Sequence, residues 1–195
     1  MNTNLSIDIS FVPNWKTDIQ NLITAINNLD GIKVADVKLG DLSFPADNCN
    51  GVYIFQEGDI HKIIEEGITN NDPQYWYVGK SDGRSLVDRI GAHLAPRHDD
   101  YMNCVIKNTA WVLSGIKRQK DFYDNAIISA KKRQQYTDKA LQIVLGLKLK
   151  IVCFGTASDP NVKADIRLAE KILIGRLNPF LNNPNRKPRQ LCIKP

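Results

Sequence analysis

The stretch YWYVGKSDGRSLVDRIGAHL, residues 75–94, changes its period halfway along. Its first part is aromatic and β-branched and is expected to run as a strand. Its second part places Leu86, Ile90 and His93 or Leu94 on one side of a helix, which Ser85 or Asp82 starts and Pro96 stops. The segment GVYIF, residues 51–55, has the same strand composition. Between the two lie Gly58, EEG and TNNDP, so the strands are expected to form a hairpin with a long, partly structured connection.

Working outward, LSIDISF (residues 5–11) alternates apolar and polar side chains and reads as a strand. Asn14 is expected to cap a helix with Ile19, Leu22, Ile23, Ile26 and Leu29 on its apolar face, ended by Gly31. Residues 1–50 then form a strand–helix extension, with room for one more strand, that packs on or precedes the main domain. On the other side, residues 99–146 read as mostly helical, with Val105, Ile106, Trp111, Val112, Ile127 and Ile128 buried. KLKIVCFG (148–155) reads as a buried strand. Asp159-Pro160 starts a helix running to about Leu177 with Ile166, Ala169, Leu173 and Leu177 inward, and Pro179 ends it. The fold class expected is α+β: a small antiparallel or mixed sheet, made of the hairpin and a third strand, flanked by helices. A main domain spans residues 51–182, with a helical basic insertion at about 96–137, and a basic, loosely ordered tail covers 183–195.

The chain has 195 residues, 43% hydrophobic and 24% charged, which are ordinary globular values and enough to bury a sizeable core. No apolar run approaches a membrane span, and MNTNLSIDIS lacks the basic start and apolar stretch of a signal peptide. A soluble, cytoplasmic protein without a membrane partner is the expectation. Cys49, Cys104, Cys153 and Cys192 are far apart in sequence, with no CxxC, so free thiols are expected, Cys153 as inert core. The net charge of +5 is unevenly divided: residues 1–75 hold 4 basic and 11 acidic side chains, residues 76–195 hold 22 and 10. A lopsided basic part suits a polyanion, nucleic acid first, although a solvated basic face has the same composition.

Walker, GxGxxG and HExxH patterns are absent. Present instead, in order, are GVY, YVGKS, LVDRIGAHL, a strand, and AEKILIGRLNPFLN. This set resembles the GIY-YIG nuclease family over residues 51–182, interrupted by the basic helical stretch. That family includes the nuclease domain of the bacterial excision-repair incision enzyme, group I intron homing endonucleases and a minority of restriction endonucleases. By this resemblance Tyr53 and Tyr77 match the two motif tyrosines, Lys80 a lysine following the second motif, and Arg89 the catalytic arginine. His93 falls where members have His or Tyr, Glu170 matches the metal-ligand glutamate, and Asn182 a motif-closing asparagine. Val52 and Val78 replace the isoleucines of the family name, and the connection and the Arg-to-Glu spacing are longer than the family minimum.

The residue types suit phosphodiester cleavage, which needs an activated water, charge compensation and help for the leaving oxygen. A hard carboxylate such as Glu170 holds one Mg2+ or Mn2+ with water positions open. Arg89 binds phosphate oxygens as a fork. Four-residue spacing lets Arg89 and His93 face one phosphate. Tyr53, with Lys80 as the nearby cation, is expected to act as base or proton relay.

With no accessory domain or zinc finger, the chain has the build of a small Type II restriction endonuclease. Double-stranded DNA is the expected substrate, a homodimer the expected assembly on DNA, and a cognate methyltransferase the genetic partner. Lys117, Arg118, Lys120, Lys131, Lys132 and Arg133 of the insertion, and Arg186, Lys187 and Arg189 of the tail, are the candidate DNA contacts. A phage or mobile-element endonuclease, a nuclease toxin, and a non-catalytic nucleic-acid-binding module are the competing expectations.

Overall fold

The computed structural model describes residues 5–37, 49–56, 75–94 and 104–182. The expected hairpin is present: β3 (Asn50–Gln56) pairs antiparallel with β4 (Tyr75–Ser81), Tyr53 opposite Gly79 and Phe55 opposite Tyr77. The connection at 57–74 lies outside the described residues, as do Pro96 and the start of the insertion. The third strand, β5 (Lys148–Gly155), pairs antiparallel with the other side of β3. Beyond β5 the N-terminal segment joins the same sheet: β1 (Ser6–Asp8) lies parallel to β5 and β2 (Ile32–Lys33) antiparallel. The order is β1-β5-β3-β4, so the fold is α+β with a mixed five-stranded sheet.

Strand β1 is shorter than the alternation predicts. The Asp8 carboxylate takes the Ser10 N–H, and Val12 N–H bonds the Ile9 carbonyl, turning the chain into a single 3-10 turn. The helix start also moves. Asn14 sits at φ +54°, in a turn whose carbonyl accepts from Thr17 and Asp18, and Asp18 caps α1 (Ile19–Asn27) through the Gln20 N–H. Helix α2 (Leu86–Leu94) begins where Ser85 Oγ accepts from the Asp88 N–H. The basic stretch holds α3 (Val105–Ser114), α4 (Gln119–Phe122) and α5 (Ala130–Gly146). Ile127 is not core: it is 53% exposed, in a turn where the Asp124 carbonyl accepts from both Ile127 and Ile128 and only Ile128 points inward. Helix α6 (Pro160–Leu177) starts on Asp159, whose carboxylate takes the Asn161 N–H, and stops at Asn178 in the left-handed region. No helix among the described residues is long and apolar enough to cross a membrane.

Alternation along the strands divides the core. Tyr53, Phe55, Leu149 and Ile151 face α2, α3 and α5; Val52, Ile54, Val78 and Val152 face α1 and α6. Lys150, on the second face, is 4% exposed and donates to the Ile26 carbonyl at the end of α1, 3.0 Å away. That bond satisfies a helix-end carbonyl and holds α1 to the sheet. The described cysteines are buried free thiols. Cys49 and Cys153, remote in sequence, are neighbours, the hydrogen bond between them holding the Cys49 thiol down at about 7 and pushing Cys153 up.

Candidate active site

Two glycines place the site. A Cβ on Gly51 would lie 2.0 Å from the Val152 carbonyl oxygen of β5, so only glycine lets the two strands approach there. A Cβ on Gly79 would lie 2.4 Å from the Tyr53 Cζ and hydroxyl, so the Tyr53 ring lies flat over a bare piece of β4. The two motif glycines thus serve the two neighbouring strands, and the second exists to seat the tyrosine of the first.

Tyr53 is fully buried, packed among Phe55, Tyr77 and His93 at centroid distances of 6.1, 6.3 and 5.3 Å. His93, on α2, is 1% exposed. Its Nδ1 accepts the Val105 N–H at 3.1 Å, from the first turn of α3. Nδ1 is therefore unprotonated, the neutral ring carries its proton on Nε2, and Nε2 donates to the Tyr53 hydroxyl oxygen at 2.5 Å. Burial first, and the Arg89 charge second, push His93 down to about 3, so it stays neutral at ordinary pH. His93 does not face a phosphate beside Arg89, as the four-residue spacing suggests. It stands behind Tyr53, bonded to its hydroxyl.

Burial pushes the Tyr53 phenol far up; the neighbouring Tyr77 adds to this, while the Arg89 guanidinium beside it pulls down. The cation at Tyr53 is thus Arg89, whereas Lys80 is engaged elsewhere. Tyr77 is likewise raised, chiefly by burial, with Arg89 opposing. The two phenols keep their protons at neutral pH.

Lys80 follows the opposite alternation to Tyr77 and points toward α6. Its Nζ meets Glu170 Oε2 at 2.5 Å, the side chains 31% and 18% exposed. Glu170 nevertheless bears on both phenols, its charge raising each. The candidate site therefore straddles β4, with the phenols, His93 and Arg89 on one face and Lys80–Glu170 on the other. Asn182 closes the outer edge: its Oδ1 accepts the Val78 N–H and its Nδ2 donates to the Val78 carbonyl, both at 2.8 Å. Phe180 beside it stacks on Trp76 with centroids 4.8 Å apart.

Among the basic candidates, Lys117, Lys120, Lys131 and Lys132 are exposed. Arg118 pairs with Asp121 at 2.7 Å. Arg133 bonds the Phe122 carbonyl and the Asn125 side chain, tying α5 to the turn before it. Arg186, Lys187 and Arg189 lie outside the described residues. Sequence reasoning missed three features: the backbone N–H that fixes His93, Asn50, and the Asp82–Arg167 ion pair at 2.6 Å. Only proximity to the motifs marks the last two, since Asn50 precedes GVY and Asp82 follows YVGKS. No family model matches the chain, and no curated protein and no solved structure is significantly similar to it.

Proposed function

We propose that the chain is a metal-dependent endonuclease of GIY-YIG type that hydrolyses phosphodiester bonds in double-stranded DNA, as a site-specific Type II restriction endonuclease acting as a homodimer. The observation that supports this reading is that Tyr53, Tyr77 and Arg89 on one face and the Lys80–Glu170 pair on the other flank one edge strand, in the order of the family's motifs. Two exposed lysines, Lys131 and Lys132, add support. They occupy the first turn of α5, where the helix dipole disfavours cations, so they are better explained by an anionic partner than by helix stability.

Glu170 already holds a cation, the Lys80 ammonium, and one carboxylate with open water positions is a donor set that Mg2+ or Mn2+ accepts. When bound, one such ion supplies charge compensation at the phosphoryl oxygens. The protein's own groups do the rest. Arg89 presents a guanidinium to the non-bridging oxygens. Tyr53, holding its proton and fixed by His93 Nε2–H, relays protons rather than starting as a phenolate. A metal ion held by Glu170 would compete with the Lys80 ammonium for that carboxylate.

The test is incubation with plasmid DNA in Mg2+ or in chelator, with Glu170→Gln alongside. Discrete, Mg2+-dependent fragments are expected from the wild type, and bound but uncut DNA from Glu170→Gln. Fragments that persist in chelator, or in Glu170→Gln, would overturn the metal assignment. A smear would replace the restriction role with a nonspecific nuclease, and intact DNA would leave a binding module.

A further inference from the structure

Next to the site, a groove runs between the β4–α2 turn and the β5–α6 turn. It is lined by Asn50, Asp82, Arg84, Ser85, Ser158 and Lys163, with Gly83, Thr156 and Ala157 completing its floor. Asn50 staples its two walls. The Asn50 side chain, in a residue only 7% exposed, donates to the Arg84 carbonyl on one wall and accepts the Ala157 N–H at 2.8 Å from the other. Ser81 Oγ reinforces the first wall through the same Arg84 carbonyl. The spacing of the walls is thereby set before any ligand arrives.

The lining is cationic and hydroxylic. Arg84 and Lys163 bring positive charge, and Ser85, Thr156 and Ser158 bring hydroxyls. The carboxylate present, Asp82, is occupied by Arg167 at 2.6 Å, and Lys80 and Lys163 also act on it. Through Asp82 the groove is electrostatically continuous with the Lys80–Glu170 pair. Among the described residues its lining has no aromatic ring on which a base would stack and no large apolar side chain that would bury a small organic ligand. A run of phosphodiesters is the ligand that matches cations, hydroxyls and a neighbouring cleavage site.

We propose that this groove seats the sugar–phosphate backbone of the nucleic-acid strand flanking the scissile linkage, with Lys163 and Arg84 as its phosphate contacts. The proposal rests on the nuclease reading above. Lys163 and Arg167 lie on the same stripe of α6 as Glu170, seven and three residues earlier. The groove and the carboxylate therefore share one rigid element, and a strand held in the first is set in register with the second.

The test uses the full chain with Glu170→Gln, so that DNA stays intact, and a fluorescent duplex titrated at several salt concentrations. Adding Lys163→Ala and Arg84→Ala together should reduce the salt slope by about 2 and weaken binding roughly tenfold per site at 0.1 M salt. Lys163→Glu, a single surface reversal, should weaken binding further than Lys163→Ala. Lys171→Ala, on an exposed part of α6 outside the groove, should leave the slope unchanged. Unchanged slopes in the groove variants, with the parent still binding, would overturn the groove alone. So would an equal effect of Lys171→Ala, or displacement of the duplex by polyglutamate as readily as by unlabelled duplex. A parent that binds no duplex at any salt would overturn both this proposal and the nuclease reading.

Discussion

Gly79 and His93 hold Tyr53 from two sides, and each makes a prediction at the residue scale. Gly79→Ala forces a methyl group to within 2.4 Å of the Tyr53 hydroxyl end, so the ring must leave its seat or the strand must shift. Overpacking of this kind costs about 1–3 kcal/mol. Urea unfolding should register that loss, and Gly51→Ala, which meets a backbone carbonyl that cannot rotate away, should lose more. His93 supplies the second prediction. Its ordinary value is 6.5 and its folded value about 3. Between those values the unfolded chain binds a proton that the folded chain refuses, so stability falls as pH drops through the window, by up to ~1.4 kcal/mol per pH unit. His93→Gln should therefore show a smaller difference in urea midpoint between pH 7 and pH 5 than the wild type; an equal difference would mean the imidazole titrates normally. Asp82, held below 3.8 by Arg167 and Lys80 against the opposing effect of burial, gives up its share of stability only below that range and does not blur the comparison.

At the scale of elements, what sequence discloses is what is local. The strands β3, β4 and β5 announce themselves by β-branched and aromatic runs, and α6 by Asp159-Pro160, because those signals act within a few residues. The pairing of β1 and β2 with β5 has no local signature, since Ser6 meets Ile151 across most of the chain. The same holds within the site. Motif order marks Tyr53, Tyr77, Lys80, Arg89 and Glu170 as candidates, but that His93 is locked by an amide of the next helix could not be read from it. Nor could charge alone tell that Arg133 is spent on its own fold while Lys131 and Lys132 are not. Asn182 gives the prediction for this scale. It supplies a donor and an acceptor to Val78, in place of a neighbouring strand. Asn182→Ala should cost about 1–3 kcal/mol, the loss of a part-buried pair of amide hydrogen bonds. Hydrogen exchange should show faster opening at Val78 than at Ile54 of the inner strand; uniform acceleration along both strands would contradict a local clasp.

The whole molecule is built on a sheet whose second face is covered by the N-terminal segment together with α6. Val12, Trp15, Leu22 and Ile26 pack on Val52, Ile54, Val78 and Val152, and Lys150 anchors α1 from the sheet side. Deleting residues 1–30 should therefore bare part of that face and leave Lys150 without its helix-end carbonyl. The expected result is an insoluble or molten product, checked by near-UV circular dichroism and size-exclusion chromatography; a cooperative, soluble fragment would show the segment to be an appendage. The clasp on Val78 carries a further consequence for assembly. A second copy cannot extend this sheet through the middle of β4, because the outward backbone groups there are already taken. A twofold partner approaching at Val78 must therefore meet the molecule through side chains, so a single surface substitution there should dissolve the pairing while leaving each copy folded.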